Sequence, residues 1–356
     1  MNLDLKNKEW KEFLICDEFD VKNSKAYHKT NLKETVRNGI SYVTRTNLNN
    51  GVESIVKKQD FKINKPNTIA FGAENATFFY QPNEYITGNK MYFIQNQRIN
   101  RHSGLFLQLA LNKSIENCGF GYGKGLTGTR VQKRYISLPV NEKGEPDFEF
   151  MEAFMKQKEQ EKYQEYNNYI IKRIKALKDF KTVEPIEEKE FLEFEIEKLF
   201  EVKSGKRLTK ADMKKGNKPF IGATDSNNGI TAFVSNTNTS EDSNVLGVNY
   251  NGSVVENFYH PYKAIFSDDV KRLSFKEIED NKHLFLFVKT QILKQKAKYQ
   301  YGYKFNGTRM NRQKIMLPVN DQNEPDYDYM ENYMKQLEYK KLNEYLRKKE
   351  KLNANA

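Results

Sequence analysis

Asp326 and Glu338-Tyr-Lys340 stand at the spacing of a metal-dependent nuclease, in which two carboxylates hold Mg²⁺ and a lysine activates water. Asp147 and Glu159-Gln-Glu161 form a similar set earlier in the chain, without the lysine. Both sets fall in stretches that read as helix, whereas such a constellation sits on strands, so cleavage by this chain is the weaker reading. Phe71-Gly72 and Phe120-Gly-Tyr-Gly123 carry part of the Phe-x-Gly-x-Gly pattern of a methyltransferase cofactor loop. No Asn-Pro-Pro-Tyr or Asp-Pro-Pro-Tyr sequence accompanies them to hold a target amino group, and a glycine turn is the better reading. His28, His102, His260 and His283 are scattered, without the paired Cys or acidic spacing of a metal site, and no nucleophile-elbow sequence is present.

The basic residues carry more. Arg130 and Arg309 lie in Gly-Thr-Arg turns, the first beside Lys124, Lys133 and Arg134, the second beside Lys304, Arg312 and Lys314. Lys and Arg bind phosphates, and Arg, Lys, Asn and Gln read bases in the major groove, so these turns are candidates to meet a duplex. The alternative is that Gly-Thr-Arg caps a strand and its arginine pairs with the Pro-Asp carboxylate that follows. Further candidates are Lys25 and its counterparts Lys206 and Arg207 in two lysine- and serine-rich loops, together with Arg45, Asn47, Lys57 and Lys58. Any of them also reads as an ordinary solvated loop residue. Net charge is +12, from 59 Lys and Arg against 47 Asp and Glu, which fits a polyanionic partner without requiring one.

The elements that position these residues occur twice. Gly128–Met151 recurs as Gly307–Met330, 179 residues on, with 16 identities in the 30 positions from Gly128 and from Gly307. A period that long signals two copies of one domain, since solenoid units are several times shorter. Each copy opens on an apolar segment, Trp10–Val21 or Phe194–Val202, that suits a strand or short helix. Ile40–Val52 and Pro219–Ile230 follow, each a β-branched and aromatic run ending in Asn-Asn-Gly, a strand and its turn. Short apolar segments broken by Gly, Asn and Pro continue to Ile94 and Phe275, whereas Leu105–Leu111 and Leu284–Ile292 have helical spacing. Each copy is therefore α+β, with strands dominant.

After Pro146-Asp147 and Pro325-Asp326 the texture becomes helical, because Pro suits a first turn and Asp complements its dipole. Phe148, Met151, Met155, Tyr166, Ile170, Ile174 and Leu177 form one apolar seam, and Tyr327, Met330, Met334, Leu337, Leu342 and Tyr345 a second. The economical solution is that the two helices pair as an antiparallel coiled coil; the alternative is that each packs on its own domain. The expected division is a first domain over 1–145, a helix over 146–181, a second domain over 182–324 that opens on the acidic linker Thr182–Lys189, and a helix over 325–356.

Only Cys16 and Cys118 are present, which fits a reducing compartment rather than a disulfide framework. No apolar run reaches membrane-spanning length and the first residues lack a signal-peptide apolar region, so a cytoplasmic location without membrane contact is expected.

A globular copy, a long helix, a second copy and a second helix, with Leu-Pro-Val-Asn ahead of each helix, resembles the DNA specificity subunit of Type I restriction-modification systems. The Glu-Pro-Asp entry into each helix and the chain length also look like the smaller specificity subunits of the Type IIB relatives. The resemblance spans about Trp10 to Leu352. It implies two target recognition domains, each reading half of a split sequence in double-stranded DNA, and a helical spacer between them. A helix of about 30 residues is ~45 Å long, and one turn of B-DNA separates half-sites by ~34–36 Å. It implies no catalytic residue, metal or cofactor on this chain, with S-adenosylmethionine and Mg expected on methyltransferase and restriction subunits, or on a fused methylase-nuclease, docked along the helices. Lys156, Lys158, Lys162, Lys335, Lys340 and Lys341 are the helix-face residues to inspect for docking. Base reading should rest where the copies differ. Arg45-Thr-Asn47 faces Ala223-Thr-Asp225, and the Lys57, Lys58 and Lys62 cluster faces Ser235-Asn-Thr-Asn-Thr-Ser240. A self-contained Mg-dependent nuclease, or a partner-binding scaffold that reads no DNA, are the alternatives.

Overall fold

The computed structural model describes residues 3–177, 179–299 and 302–354, the last six without their side chains, and divides into two compact units, Met1–Tyr166 and Asn167–Ala356. Gln300 and Tyr301, in the stretch ahead of the second Gly-Thr-Arg, and the side chain of Leu352 lie outside the described residues.

In the first unit the apolar opening forms three elements, strand β1 (Trp10–Leu14), the single turn α1 (Ile15–Glu18) and strand β2 (Asp20–Asn23). Strands β3 (Gly39–Val43), β4 (Val52–Lys57), β5 (Thr68–Gly72), β6 (Phe78–Gln81), β7 (Tyr85–Thr87) and β8 (Met91–Gln95) follow. Then come α2 (Arg101–Ser114), α3 (Gly128–Gln132), β9 (Tyr135–Pro139) and the long α4 (Phe148–Ala176), whose residues from Asn167 belong to the second unit. The strands make an antiparallel sheet in the order β2-β8-β5-β6, a sheet β4-β3-β7 in which β3 and β7 run parallel, and the antiparallel pair β1-β9.

The second unit repeats this element for element. Its members are β10 (Phe191–Glu195), α5 (Ile196–Leu199), β11 (Phe200–Ser204), β12 (Lys215–Ile221), β13 (Ile230–Val234), β14 (Val245–Asn249), β15 (Asn257–His260), β16 (Ile265–Phe266), β17 (Val270–Phe275), α6 (Lys282–Leu293), α7 (Gly307–Arg312), β18 (Lys314–Pro318) and α8 (Tyr327–Ala354). The sheets β11-β17-β14-β15, β13-β12-β16 and β10-β18 match the first unit in order, and β12 and β16 pair in parallel as β3 and β7 do. The duplication thus extends from one motif to a complete topology.

Local chemistry explains the shared shape. Asn50 and Gly51 (φ 56° and 78°) and Asn228 and Gly229 (53° and 76°) make the left-handed turn joining β3 to β4 and β12 to β13, a conformation that Asn and Gly tolerate best. β5 and β14 are buried along their whole length, and apolar apart from Thr68 and Asn249, because each is a central strand covered on both faces. The first core gathers Phe71, Phe78, Ile94, Leu107 and Leu111, and the second Leu246, Val248, Leu273, Phe285 and Val288. Each such side chain contributes about 1.5–3 kcal/mol of burial. Gly104 lets α2 lie on β6, since a Cβ there would stand 2.3 Å from the Tyr80 ring.

Three expectations are corrected in detail. Gly-Thr-Arg is not a strand-capping turn but the first turn of a short helix, α3 or α7, because Thr127 and Asn306 accept from the Arg130 and Arg309 amides and cap it. Neither arginine pairs with the Pro-Asp carboxylate, whose partners are Lys8 for Asp147 (2.6 Å) and Lys189 for Asp326 (2.9 Å). Those aspartates precede the long helices as caps rather than standing in the first turn, with Asp147 Oδ1 accepting from the Phe150 amide and Asp326 Oδ1 from the Tyr329 amide, each at 2.9 Å.

Candidate nucleic-acid interface

Both units anchor their shorter helix to the long one through the same residues. Asn100 caps α2 and donates to Glu152 (2.6 Å), while Arg101 and His102 reach Glu159 at 2.7 and 2.8 Å. Asn281 caps α6 and donates to Glu331 (3.3 Å), while Lys282 and His283 reach Glu338 at 3.1 and 3.0 Å. Arg173, on the part of α4 that belongs to the second unit, adds a two-point contact to Glu338 at 2.6 and 3.1 Å. Burial opposes ionisation of Glu338, but the hydrogen bonds from Arg173, Lys282 and His283 outweigh it and hold the carboxyl at about 2. Burial pushes His283 below the ordinary imidazole range despite that carboxylate, which stands 3.0 Å from its Nε2. The Glu338 of the nuclease pattern is thus committed to three cationic or N–H donors, and Asp326 to Lys189. Among the described residues no three His, Cys, Asp or Glu gather as a metal-binding group.

Several of the candidate basic residues are brought together on one edge of each unit. In the first, Arg45 pairs with Glu74, which also takes Lys90 at 2.6 Å. Asn47 Oδ1 accepts from Asn75 (2.9 Å) and Thr77 (3.0 Å), so the β3–β4 loop is tied to the turn after β5. On the other side of that turn the Leu126 amide donates to the Ala73 carbonyl at 2.6 Å and brings in the loop 119–125. Lys124 there donates to the Cys118 carbonyl (3.1 Å), and the Arg130 guanidinium to the Gly125 carbonyl. α3 stands over the end of β2, where a Cβ on Gly128 would be 3.0 Å from Tyr92 and 3.7 Å from Asn23. Lys25 continues from β2, its ammonium 5.5 Å from the Tyr27 ring. Tyr27, Lys29, Arg45, Glu53 and Glu74 share a cleft of about 610 Å³ on this edge.

Lys57 and Lys58 do not join it. Lys57 pairs with Gly39 at the opposite end of the β3–β4 hairpin from Arg45 and Asn47. Lys133 is exposed just past α3, whereas Arg134 is engaged inward with the Ser114 carbonyl (2.8 Å) and the Cys118 sulfur (3.2 Å).

In the second unit Lys206 and Arg207 extend from β11, with the Lys206 amide on the Phe266 carbonyl (2.8 Å) and Arg207 3.8 Å from Asp268. Arg309 donates to the Lys304 carbonyl (2.8 Å) and lies 3.7 Å over the Tyr303 ring, and Arg312 is exposed at the end of α7. Lys271 ties these pieces together. Its ammonium donates to Ser204 at 2.8 Å and sits 4.9 Å over Tyr250, with its stem 3.9 Å from where a Gly307 Cβ would be. Burial pushes the Lys271 ammonium below its ordinary value. Lys271, like Lys29 and Lys90 in the first unit, escapes sequence reasoning because its place on the edge follows from strand register, Ser204 opposite Lys271, and not from a local motif.

Lys25 and Lys206, and Arg130 and Arg309, occupy equivalent positions, and both arginines hold the carbonyl five residues back. The facing loops differ. Where the first unit has Arg45 on Glu74, the second has Ala223 packed under the turn at Gly252, with the Thr224 carbonyl taking Asn249 (2.9 Å). On the long helices Lys156, Lys158 and Lys162 pair with Glu152, Glu161 and Glu165, and Lys335 and Lys341 with Glu331 and Glu344. No described helix is long and apolar enough to cross a membrane.

This doubled architecture has a known counterpart. Residues 7–168 and 188–347 each match the family described as the Type I restriction modification DNA specificity domain, so the chain belongs to that family and is a specificity subunit with two recognition domains. Among individual relatives, it is 42% identical over 338 residues to S.BcgI of Heyndrickxia coagulans, a Type II restriction enzyme specificity subunit, covering 93% of this chain and 95% of the relative. The S subunit of a Type I restriction-modification system from M. genitalium shares the fold, with a TM-score of 0.55 at 16% identity over 99% of this chain and 96% of that one.

Proposed function

We propose that the chain is the non-catalytic, sequence-reading component of a cytoplasmic restriction-modification assembly, and that each unit reads one half of a split duplex target. The observation that carries this reading is the recurrence of one basic edge, Lys25 with Arg130 and Lys206 with Arg309, on matched topologies whose neighbouring loops differ. Equivalent cations meet the phosphates of either half-site, and unlike loops meet unlike bases. The recognition domains would occupy 1–145 and 182–324, and the helices 146–181 and 325–356 would pair antiparallel as the spacer. The Arg173–Glu338 contact and the Lys181 amide on Asn332 (2.8 Å) support that pairing. Methyltransferase and restriction subunits, or a fused methylase-nuclease, would dock on the helices and bring S-adenosylmethionine and Mg with them. The kinship with S.BcgI, which serves a Type II enzyme, favours the fused partner.

Equilibrium binding to duplex DNA across a salt series tests the assignment. Arg130→Ala and Arg309→Ala should each weaken binding and reduce the slope of log K against log salt by ~0.9 per lost phosphate contact. Unchanged binding with lower stability would assign both arginines to holding their loops alone. Cleavage of DNA by the purified chain with Mg²⁺ and no partner would refute the non-catalytic reading.

A further inference from the structure

The proposed reading edge of the first unit carries two large, mostly exposed apolar side chains. Tyr122 is 91% exposed and Leu48 is 70% exposed. An isolated exposed apolar residue needs no explanation. These two differ in where they stand and how they are held. Leu48 is in the β3–β4 loop beside Asn47, Tyr122 is in the loop beside Lys124, and both loops are tied to the same turn between β5 and β6.

Their backbones are held by hydrogen bonds while their side chains face solvent. The Gly121 amide donates to the Lys124 carbonyl and the Lys124 amide returns the bond to Gly121, each at 3.2 Å, leaving Tyr122 and Gly123 as the tip of a closed turn. Phe120, under Lys124 (5.1 Å) and Arg134 (5.9 Å), anchors the base of that loop. A Cβ on Gly123 would meet nothing within 4 Å, so packing does not demand glycine there, and its absence of a side chain keeps the tip thin. Leu48 is held from both sides, its amide on Thr46 Oγ1 (3.2 Å) and its carbonyl on the Gly51 amide (2.9 Å). Rigid turns that present unsupported apolar groups are preorganised for contact, because little entropy remains to be lost on binding.

The surroundings select the partner. Lys124 and Arg130 stand beside the Tyr122 tip and Arg45, paired with Glu74, beside Leu48, and the chemistry that is anionic at its rim and apolar within is a nucleic-acid groove with stacked bases. Among the described residues the second unit differs at this edge: its loop places Ser226 where Leu48 stands, and the Arg309 guanidinium lies 3.7 Å over the Tyr303 ring. Resting on the reading proposed above, we propose that Tyr122 and Leu48 enter a groove of the duplex and pack against bases of the half-site read by the first unit, supplying affinity and specificity that do not depend on salt.

The experiment uses the full chain assembled with its methyltransferase partner, and as probe the tightest duplex recovered from a random library with the wild-type assembly. Tyr122→Ala and Leu48→Ala should each weaken binding about tenfold, in the range of base contacts by aromatic and apolar groups, with wild-type melting temperature and an unchanged salt slope. Tyr122→Phe should keep most of the affinity. In the same series Arg130→Ala should change the slope. If Tyr122→Ala and Leu48→Ala bind within twofold of wild type while Arg130→Ala is impaired, the inference is overturned and the functional reading stands. A reduced salt slope in Tyr122→Ala would also overturn it, by assigning the effect to displaced cations. If the wild-type assembly recovers no duplex, both fall together.

Discussion

The helix anchors and the basic edges diverge differently between the two units. Asn100, Arg101, His102, Glu152 and Glu159 in the first have direct counterparts in Asn281, Lys282, His283, Glu331 and Glu338, making the same bonds. The loops around Arg45 and Ala223 share a turn and almost nothing else. Residues that set a short helix against a long one are retained because they fix the frame, and loops hung on that frame are free to vary because they carry little of its stability. The anchors are not energetically equal, however. The Glu159 side chain is 53% exposed, and that of Glu338 is 20% exposed with Arg173 as an added partner.

That inequality gives the largest expected effect. Glu338→Ala leaves Arg173, Lys282 and His283 without their shared carboxylate and should destabilise the chain by about 2–4 kcal/mol in urea unfolding. Glu159→Ala should cost under ~1 kcal/mol because its pairs are solvent-screened. Equal losses would contradict the ranking of the two anchors. The same contrast is sharpened by pH. The folded Glu338 carboxyl lies at about 2, below its ordinary 4.5, so its stabilisation is fully present above about 4.5 and is lost as pH falls toward 2. Melting curves of the wild type and Glu338→Gln should differ by a constant amount above pH 5 and converge between about 4.5 and 2. A gap that instead closes near neutrality would point to histidine as the titrating group. Smaller again, and confined to one half-site, is the effect expected of Arg45→Ala. It should alter base preference by about 1–3 kcal/mol at a single position of the first half-site if Arg45 leaves Glu74 to contact a base. Selected-duplex sequencing reads this directly, and equal changes in both halves would break the assignment of one unit to one half.

Much of this frame was legible in the chain because it rests on local rules. Asn-Asn-Gly announces its left-handed turn, Pro-Asp the start of a helix, and the repeat of Gly128–Met151 the duplication. The Gly-Thr-Arg helices were missed because one turn of helix has no periodicity to detect, and their capping residues, Thr127 and Asn306, differ between the copies. From sequence alone Glu338 fits a metal-site spacing, because its partners Arg173, Lys282 and His283 are distant in the chain. Lys271 was invisible for the same reason, its position being set by pairing of β11 with β17. The exposure of Leu48 and Tyr122 could not be inferred from composition, since apolar residues ordinarily point inward.

The central claim is that two homologous units read two different half-sites. Enrichment sequencing of a random duplex library with the chain in its methyltransferase assembly tests it most directly. The account predicts two dissimilar sequence elements separated by a fixed gap that sets their centres about one helical turn apart, the first degraded by Arg45→Ala and the second unaffected. A single contiguous element, two identical elements, or a gap of variable length would contradict it.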